Sequence, residues 1–215
     1  MTSHPSPSAS PPAYKFIFLR HGQSLGNAEG RYQGQADYPL TDIGIRQAQI
    51  LADTWERTGV EFDLVISSPL ARARQTAEII AEQLGVTLEL DPVWMERDTG
   101  VIEGMRPDEA NRLYPPPGFL SPYTPIRSEA ESSWDLYLRA GKGLAALLQK
   151  EAGRYLVVSH GAILNMTMYA ILGITPQPNY HGPRFQFHNT TYISTTYRHH
   201  SHNWIIEGIT HPNDT

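Results

Sequence analysis

Arg20 and His21 close the apolar run Tyr14-Lys15-Phe16-Ile17-Phe18-Leu19 and are followed at once by Gly22. A guanidinium and an imidazole fixed together at such a point suit a nucleophile that faces a phosphate. A phosphomonoester carries about two negative charges near neutral pH and repels anionic nucleophiles. A neutral imidazole escapes that repulsion, and near pH 7 an unprotonated ring nitrogen is accessible once the other nitrogen has a partner that fixes the tautomer. The run from Phe16 to Leu19 has the length and the aromatic and β-branched content of a buried strand, and Gly22 lets backbone N–H groups approach a ligand closely. Open α/β sheets place their ligands at such strand ends.

Two further stretches repeat the arrangement. Leu64-Val65-Ile66 leads into Ser67-Ser68-Pro69-Leu70-Ala71-Arg72, which reads as strand, turn and helix start, with Ser68 as N-cap and Pro69 as first helical residue. Arg72 then falls in the opening turn, where free backbone donors already favour an anion. Leu156-Val157-Val158 runs into Ser159-His160-Gly161 and then a helical pattern through Leu164, Met168 and Ile171. Three strand ends thus offer Arg20 with His21, Arg72, and His160. The two arginine forks match equatorial phosphate oxygens, and His160, if protonated, adds a third positive group.

With these motifs the chain resembles the histidine phosphatase superfamily, in its phosphoglycerate mutase-like branch, from Tyr14 to about Gly208. The resemblance is carried by Arg20-His21-Gly22-Gln23-Ser24-Leu25-Gly26-Asn27, by Arg31-Tyr32-Gln33-Gly34, by Asp37 to Gly44, by the motifs around Arg72 and His160, and by Glu96 to Gly104. Glu131-Ser132 with Asp135 and Arg139 matches a later motif. The resemblance implies that His21 attacks phosphorus and becomes a phosphohistidine, and that Glu96 gives a proton to the leaving group and later takes one from water. It further implies that Asn27, Gln33 and Gly34 complete the phosphate and substrate contacts, with Gly161 on the side of the second histidine. Asp98 and Glu103 read as braces of the loop carrying Glu96, and Arg74 as a surface charge.

The elements needed to position these residues are also visible. Apolar strands alternate with helical patterns, which predicts an α/β fold: a three-layer αβα sandwich with a mainly parallel sheet, helices on both faces, and an antiparallel strand pair near the C terminus. Ile45, Ala48, Ala52 and Trp55 follow the cap Thr41 at helical spacing. Trp134, Leu138, Gly141, Ala145 and Leu148 form a second stripe in a helix expected to begin near Ser128. Phe185–His188, Thr191–Tyr197 and Trp204–Ile209 read as strands, the last two joined by a turn holding His199-His200-Ser201-His202. Imidazoles alternating in direction with no flanking carboxylate or thiol do not make a metal site, so this cluster reads as an exposed hairpin tip.

Residues 1–13 are rich in Ser and Pro and read as a flexible tail; residues 14–210 form one catalytic domain, in which 105–127, rich in proline and aromatics, is either a cap insertion over the site or a packing loop. A formal charge of −5 and the lack of any long apolar segment exclude a general nucleic-acid or membrane binder. The chain has no cysteine, which removes disulfides, thiolate metal sites and cysteine nucleophiles and fits a cytoplasmic setting. The partner expected is a small phosphorylated metabolite, and a homodimer is left open.

The reading that follows is a metal-independent phosphatase acting on a small phosphomonoester. The alternatives are a cofactor-dependent phosphoglycerate mutase, whose adjacent arginine pair has no counterpart in the scattered Arg97, Arg106, Arg112 and Arg127, and an inactive phospholigand-binding protein. The chemistry asks for no metal and no cofactor. Turnover is therefore expected to survive a chelator, and a loss in EDTA that a divalent ion restores would contradict this.

Overall fold

The computed structural model describes residues 13–212, so the tail reading for residues 1–12 lies outside the described residues, and Ala13 already belongs to the first strand. In chain order the elements are β1 (Ala13–Arg20), a short helix α1 (Leu25–Ala28), α2 (Asp42–Thr58), β2 (Leu64–Ser67), α3 (Ala71–Leu84), β3 (Leu88–Leu90), α4 (Pro107–Leu113), α5 (Ser133–Leu148), β4 (Arg154–Ser159), α6 (Gly161–Leu172), β5 (Tyr192–Arg198) and β6 (Asn203–Thr210). They build one six-stranded sheet in the order β3-β2-β4-β1-β5-β6. The first four strands in that order run parallel, and β1–β5 and β5–β6 pair antiparallel.

Period-two alternation in the central strands divides the core into two layers. Phe16 and Phe18 of β1 with Tyr155 and Val157 of β4 face one way, onto Leu136, Ala140, Leu144 and Leu147 of α5 and Ile163, Leu164 and Met168 of α6. Leu19, Leu156 and Val158 face the other way, onto Leu51, Ala52 and Trp55 of α2 and Ala73, Ala77 and Ile80 of α3. Each fully buried side chain of this size contributes about 1.5–3 kcal/mol of transfer free energy. Both faces are covered, as the sequence pattern predicts.

Several local expectations are corrected. The long helix starts at Ser133 with Ser132 as N-cap, its hydroxyl accepting from Asp135 N–H at 3.0 Å. Its buried stripe is Leu136, Ala140, Gly143, Leu144 and Leu147, shifted from the expected one, and Leu138 is exposed. Ile45 is likewise exposed, leaving Ala48, Ala52 and Trp55 as the buried face of α2. Phe185–His188 pairs with no strand, because Asn165 takes both backbone groups of Phe185 into its own side chain. The His199–His202 tip is exposed, and among the described residues no cluster of three metal-ligating side chains exists.

Where the chain leaves β1 it crosses the start of α2 at van der Waals distance. A Cβ on Gly22 would stand 2.6 Å from the carbonyl oxygen of Gly44, and one on Gly44 would collide with the backbone of Gln23. Alanine normally stabilises a helix interior by about 1 kcal/mol over glycine. Here the sign is expected to invert: Gly44→Ala should lower stability by about 1–3 kcal/mol, read from the urea midpoint. An unchanged or raised midpoint would show that the crossing is looser than this.

Candidate active site

The parallel register does the positioning. Arg20 of β1 pairs with Ser159 of β4, and Ser67 of β2 pairs with Val158, so the three strands end level with one another. Backbone bonds carry the alignment past the strand ends: His21 N–H donates to Ser159 O at 3.0 Å and Ser68 N–H to Val158 O at 3.1 Å. His21 and His160 consequently sit with ring centroids 5.1 Å apart. They are 2% and 0% exposed, and Arg72 is 1% exposed.

Hydrogen-bond partners fix both tautomers. His21 Nδ1 lies 2.6 Å from the carbonyl oxygen of Gly22, which can only accept, so Nδ1 carries the proton and Nε2 keeps its lone pair. Burial, followed by the charges of Arg20 and Arg72, holds this imidazole well below the usual histidine range, although the bond to Gly22 works the other way. The ring is neutral near pH 7, as a nucleophile facing a dianion requires.

His160 differs from its sequence-based reading. Arg72 Nε donates to His160 Nδ1 at 3.1 Å, so that nitrogen must be unprotonated, and Nε2 donates to Ser68 Oγ at 2.8 Å. Burial and then Arg72 push its pKa well down as well. His160 is thus a neutral group beneath the floor of the site that orients Arg72, and it supplies no third positive charge.

Ser68 is accordingly not the N-cap of α3. The helix begins at Ala71, and the missing cap comes from a distant loop, where Asp37 Oδ1 accepts from Ala71 N–H at 2.6 Å. Arg72 keeps its place in the first turn, its two Nη atoms bound to Ala36 O and Gly34 O at 2.8 Å each. Gly34 can present that carbonyl because its φ of +51° is open to glycine and a Cβ would strike Glu103 and Thr99. Burial lowers the Arg72 pKa to about 10, which leaves the guanidinium charged. Arg20 is shifted down by burial too; its Nη1 donates to Phe187 O at 2.5 Å, and its buried Nε has no protein partner.

Glu96 reaches the same place from the other side. Its Oε1 accepts from Arg97, Ala162 and Ile163 N–H, the last two being first-turn donors of α6, while Oε2 shares only the Ala162 donor at 3.2 Å. Oε2 is therefore the oxygen with room for a proton. Arg139 anchors this loop by donating to Val93 O, Met95 O and Glu96 O, and is itself gripped bidentately by Glu131 at 2.8 and 2.6 Å. Asp98 and Glu103 brace the loop as expected, through Gly100 N–H and Gln35 N–H. Asn27 spends its Oδ1 on Ser24 and on Asn189, leaving Nδ2 as the group it can offer a ligand.

Arg20, His21, Asn27, Gln33, Gly34, Arg72, Glu96 and Gly161 all line one cavity of about 910 Å³, and His160 alone of the expected residues lies behind its wall. The wall also contains Arg31, Arg97, Arg184, Asn165 and Tyr180, of which only Arg31 and Arg97 stood in recognised motifs.

Two buried histidines and two buried guanidiniums thus meet where β1, β2 and β4 end. The family model of the histidine phosphatase superfamily (branch 1) matches residues 16–209. The chain belongs to that family. Its relatives include the probable phosphoglycerate mutase GpmB of Yersinia pestis (strain Pestoides F), 35% identical over 199 residues, or 88% of this chain and 89% of the relative. Among solved structures, a histidine-to-alanine phosphoserine phosphatase mutant from Entamoeba histolytica in complex with phosphoserine is 28% identical with a TM-score of 0.74, over 93% of this chain and 98% of that one. Bacillus stearothermophilus YhfR is 25% identical with a TM-score of 0.78, over 90% and 95%.

Both buried imidazoles stay neutral in the folded protein to a pH well below 6.5, whereas the unfolded chain binds those protons from about 6.5 downward. Below pH 6.5 the unfolded state holds more protons, so stability must fall as pH falls. The slope expected from each ring is up to about 1.4 kcal/mol per pH unit, read from urea midpoints between pH 6.5 and 5. His160→Gln should flatten it, and a variant with the wild-type slope would show that His160 titrates normally.

Proposed function

We propose that the protein is a phosphatase that hydrolyses a small phosphomonoester through a phosphohistidine on His21. The observation that carries this reading is the bond from His21 Nδ1 to Gly22 O, which leaves a neutral ring with a free Nε2 beside two buried guanidiniums. Nε2 attacks phosphorus while Arg20 and Arg72 hold the non-bridging oxygens, and the ester P–O bond breaks. Glu96 Oε2 gives its proton to the departing oxygen. Water then attacks the phosphohistidine, returns a proton to Glu96 and releases inorganic phosphate. Asn27, Gln33 and Gly34 complete the phosphate contacts, and Gly161 opens the helix on which Glu96 rests.

In this reading 105–127 acts as a cap, since its Ile126 and Arg127 reach the cavity wall. No described helix is long and apolar enough to cross a membrane, and the cysteine-free chain suits a reducing, cytoplasmic compartment.

A phosphoglycerate mutase is the second reading, favoured by the name of the Yersinia relative. It would return the phosphoryl group to a second hydroxyl instead of to water. Against it stand the absence of an adjacent arginine pair and the residues Asp98-Thr99 where mutases carry His-Tyr.

Incubation with p-nitrophenyl phosphate, and separately with 3-phosphoglycerate and its bisphosphorylated primer, separates the two. Wild type is expected to release phosphate without isomerisation, and His21→Ala to lose on the order of a thousandfold or more of that rate. Isomerisation would establish the mutase, and a wild type as inert as the variant would establish a binder.

A further inference from the structure

The carbonyl that fixes the His21 tautomer belongs to the peptide unit between Gly22 and Gln23, whose N–H points the opposite way. Were that unit inverted, the Gln23 N–H would face His21 Nδ1, which would then have to accept. The ring proton would sit on Nε2, and Nε2 would have no lone pair. A glycine beside a peptide unit makes such an inversion cheap. Yet position 22 must be glycine, because a Cβ there would meet the Gly44 carbonyl oxygen at 2.6 Å. The crossing of β1 over α2 therefore leaves the direction of this carbonyl to be fixed by other groups.

Two side chains fix it. Gln47, one turn after Gly44 on α2, accepts from Gln23 N–H with its Oε1 at 2.8 Å. Thr76 of α3 is fully buried and holds the preceding peptide unit: its Oγ1 accepts from Gly22 N–H at 3.1 Å and donates its one proton to Arg72 O at 2.7 Å. The carbonyl of that same unit, His21 O, accepts from Asn189 Nδ2 at 3.0 Å. Both peptide units flanking Gly22 are thus anchored to the two helices on one face of the sheet, and Thr76 ties them to the turn that carries Arg72. Neither Gln47 nor Thr76 lines the cavity.

We infer that Gln47, with Thr76, is a positioning residue that selects the Nδ1-protonated tautomer of His21 by holding Gly22 O toward the ring. The catalytic consequence rests on the phosphohistidine reading, whereas the tautomer is measurable without substrate. The test reads the two ring nitrogen-15 shifts of His21 in unliganded labelled protein near neutral pH, assigned by their absence from His21→Ala. On the same samples kcat and KM for p-nitrophenyl phosphate and the urea midpoint are measured. Gln47→Met removes the acceptor at similar length and Gln47→Glu keeps it; Thr76→Val and Thr76→Ser do the same for the second anchor.

Wild type is expected to show a ring protonated at Nδ1. In Gln47→Met both shifts should move toward the opposite tautomer, and kcat should fall by about tenfold with KM little changed. Thr76→Val should act in the same direction, and Gln47→Glu and Thr76→Ser should restore the wild-type ring. Wild-type shifts in both Gln47→Met and Thr76→Val overturn the inference whatever the rate, since a lowered midpoint alone marks a structural role. A ring displaced as far in Gln47→Glu as in Gln47→Met overturns it too, as does a wild-type ring protonated at Nε2. If one variant fails to fold, the other pair decides. A wild type with the expected ring that hydrolyses nothing leaves this assignment standing and sinks the phosphatase reading instead.

Discussion

The arrangement depends on keeping one imidazole uncharged among fixed positive charges. His21 is held neutral by burial and by Arg20 and Arg72, and its tautomer is set by the carbonyl of the next residue. The same two guanidiniums that suppress its protonation are the groups suited to a phosphate, so in the proposed reaction nucleophile activation and anion binding share one electrostatic cause. Burying guanidiniums is costly unless their donors are satisfied. The chain satisfies them chiefly with backbone carbonyls, those of Gly34, Ala36 and Phe187, whose partial charges orient the cations without cancelling them. Ion pairs in their place would have discharged the site.

This choice constrains the loops. Gly34 must present its oxygen inward, which demands a positive φ and no side chain; Phe187 must be brought beside β1, which Asn165 achieves by fastening Phe185 to α6. Glu96 is held by a different device, the first-turn donors of α6, with Arg139 and Glu131 clamping the loop from below. The N-terminus of α6 is therefore occupied by a carboxylate of the protein, and in the proposed reaction the phosphate is left to the guanidiniums.

What the sequence disclosed, and what it did not, divides along the same line. Arg20, His21, Arg72 and His160 follow short apolar runs whose ends are marked by glycine or a turn, so local pattern places them, and the parallel register then brings them together. The protonation of His160 depends on Arg72 Nε, a contact 88 residues away in sequence. The cap of α3 comes from Asp37, 34 residues before it, which releases Ser68 to serve His160. Neither partner can be read from a window around the residue it serves. The phase error in α5 has a simpler origin: Trp134 looked like core, but the small Gly143 is the residue that faces inward, against the buried ring of Trp94.

The outer half of the cavity obeys other rules. Asn179 and Tyr180 both take positive φ, and Asn179 exchanges two hydrogen bonds with Leu120, tying the segment before Arg184 to the proline-rich stretch. Tyr180 in turn holds Arg97, the residue after Glu96. Non-glycine residues in that conformation cost of order 1 kcal/mol or more each and persist only where their surroundings require them. Here the requirement is the junction of three loops that share no sheet contact. The inner half is set by strand register and changes only if the sheet does. The outer half is set by side-chain bonds between loops, so substitutions there can reshape the mouth of the cavity while leaving His21 and its guanidiniums where the sheet puts them.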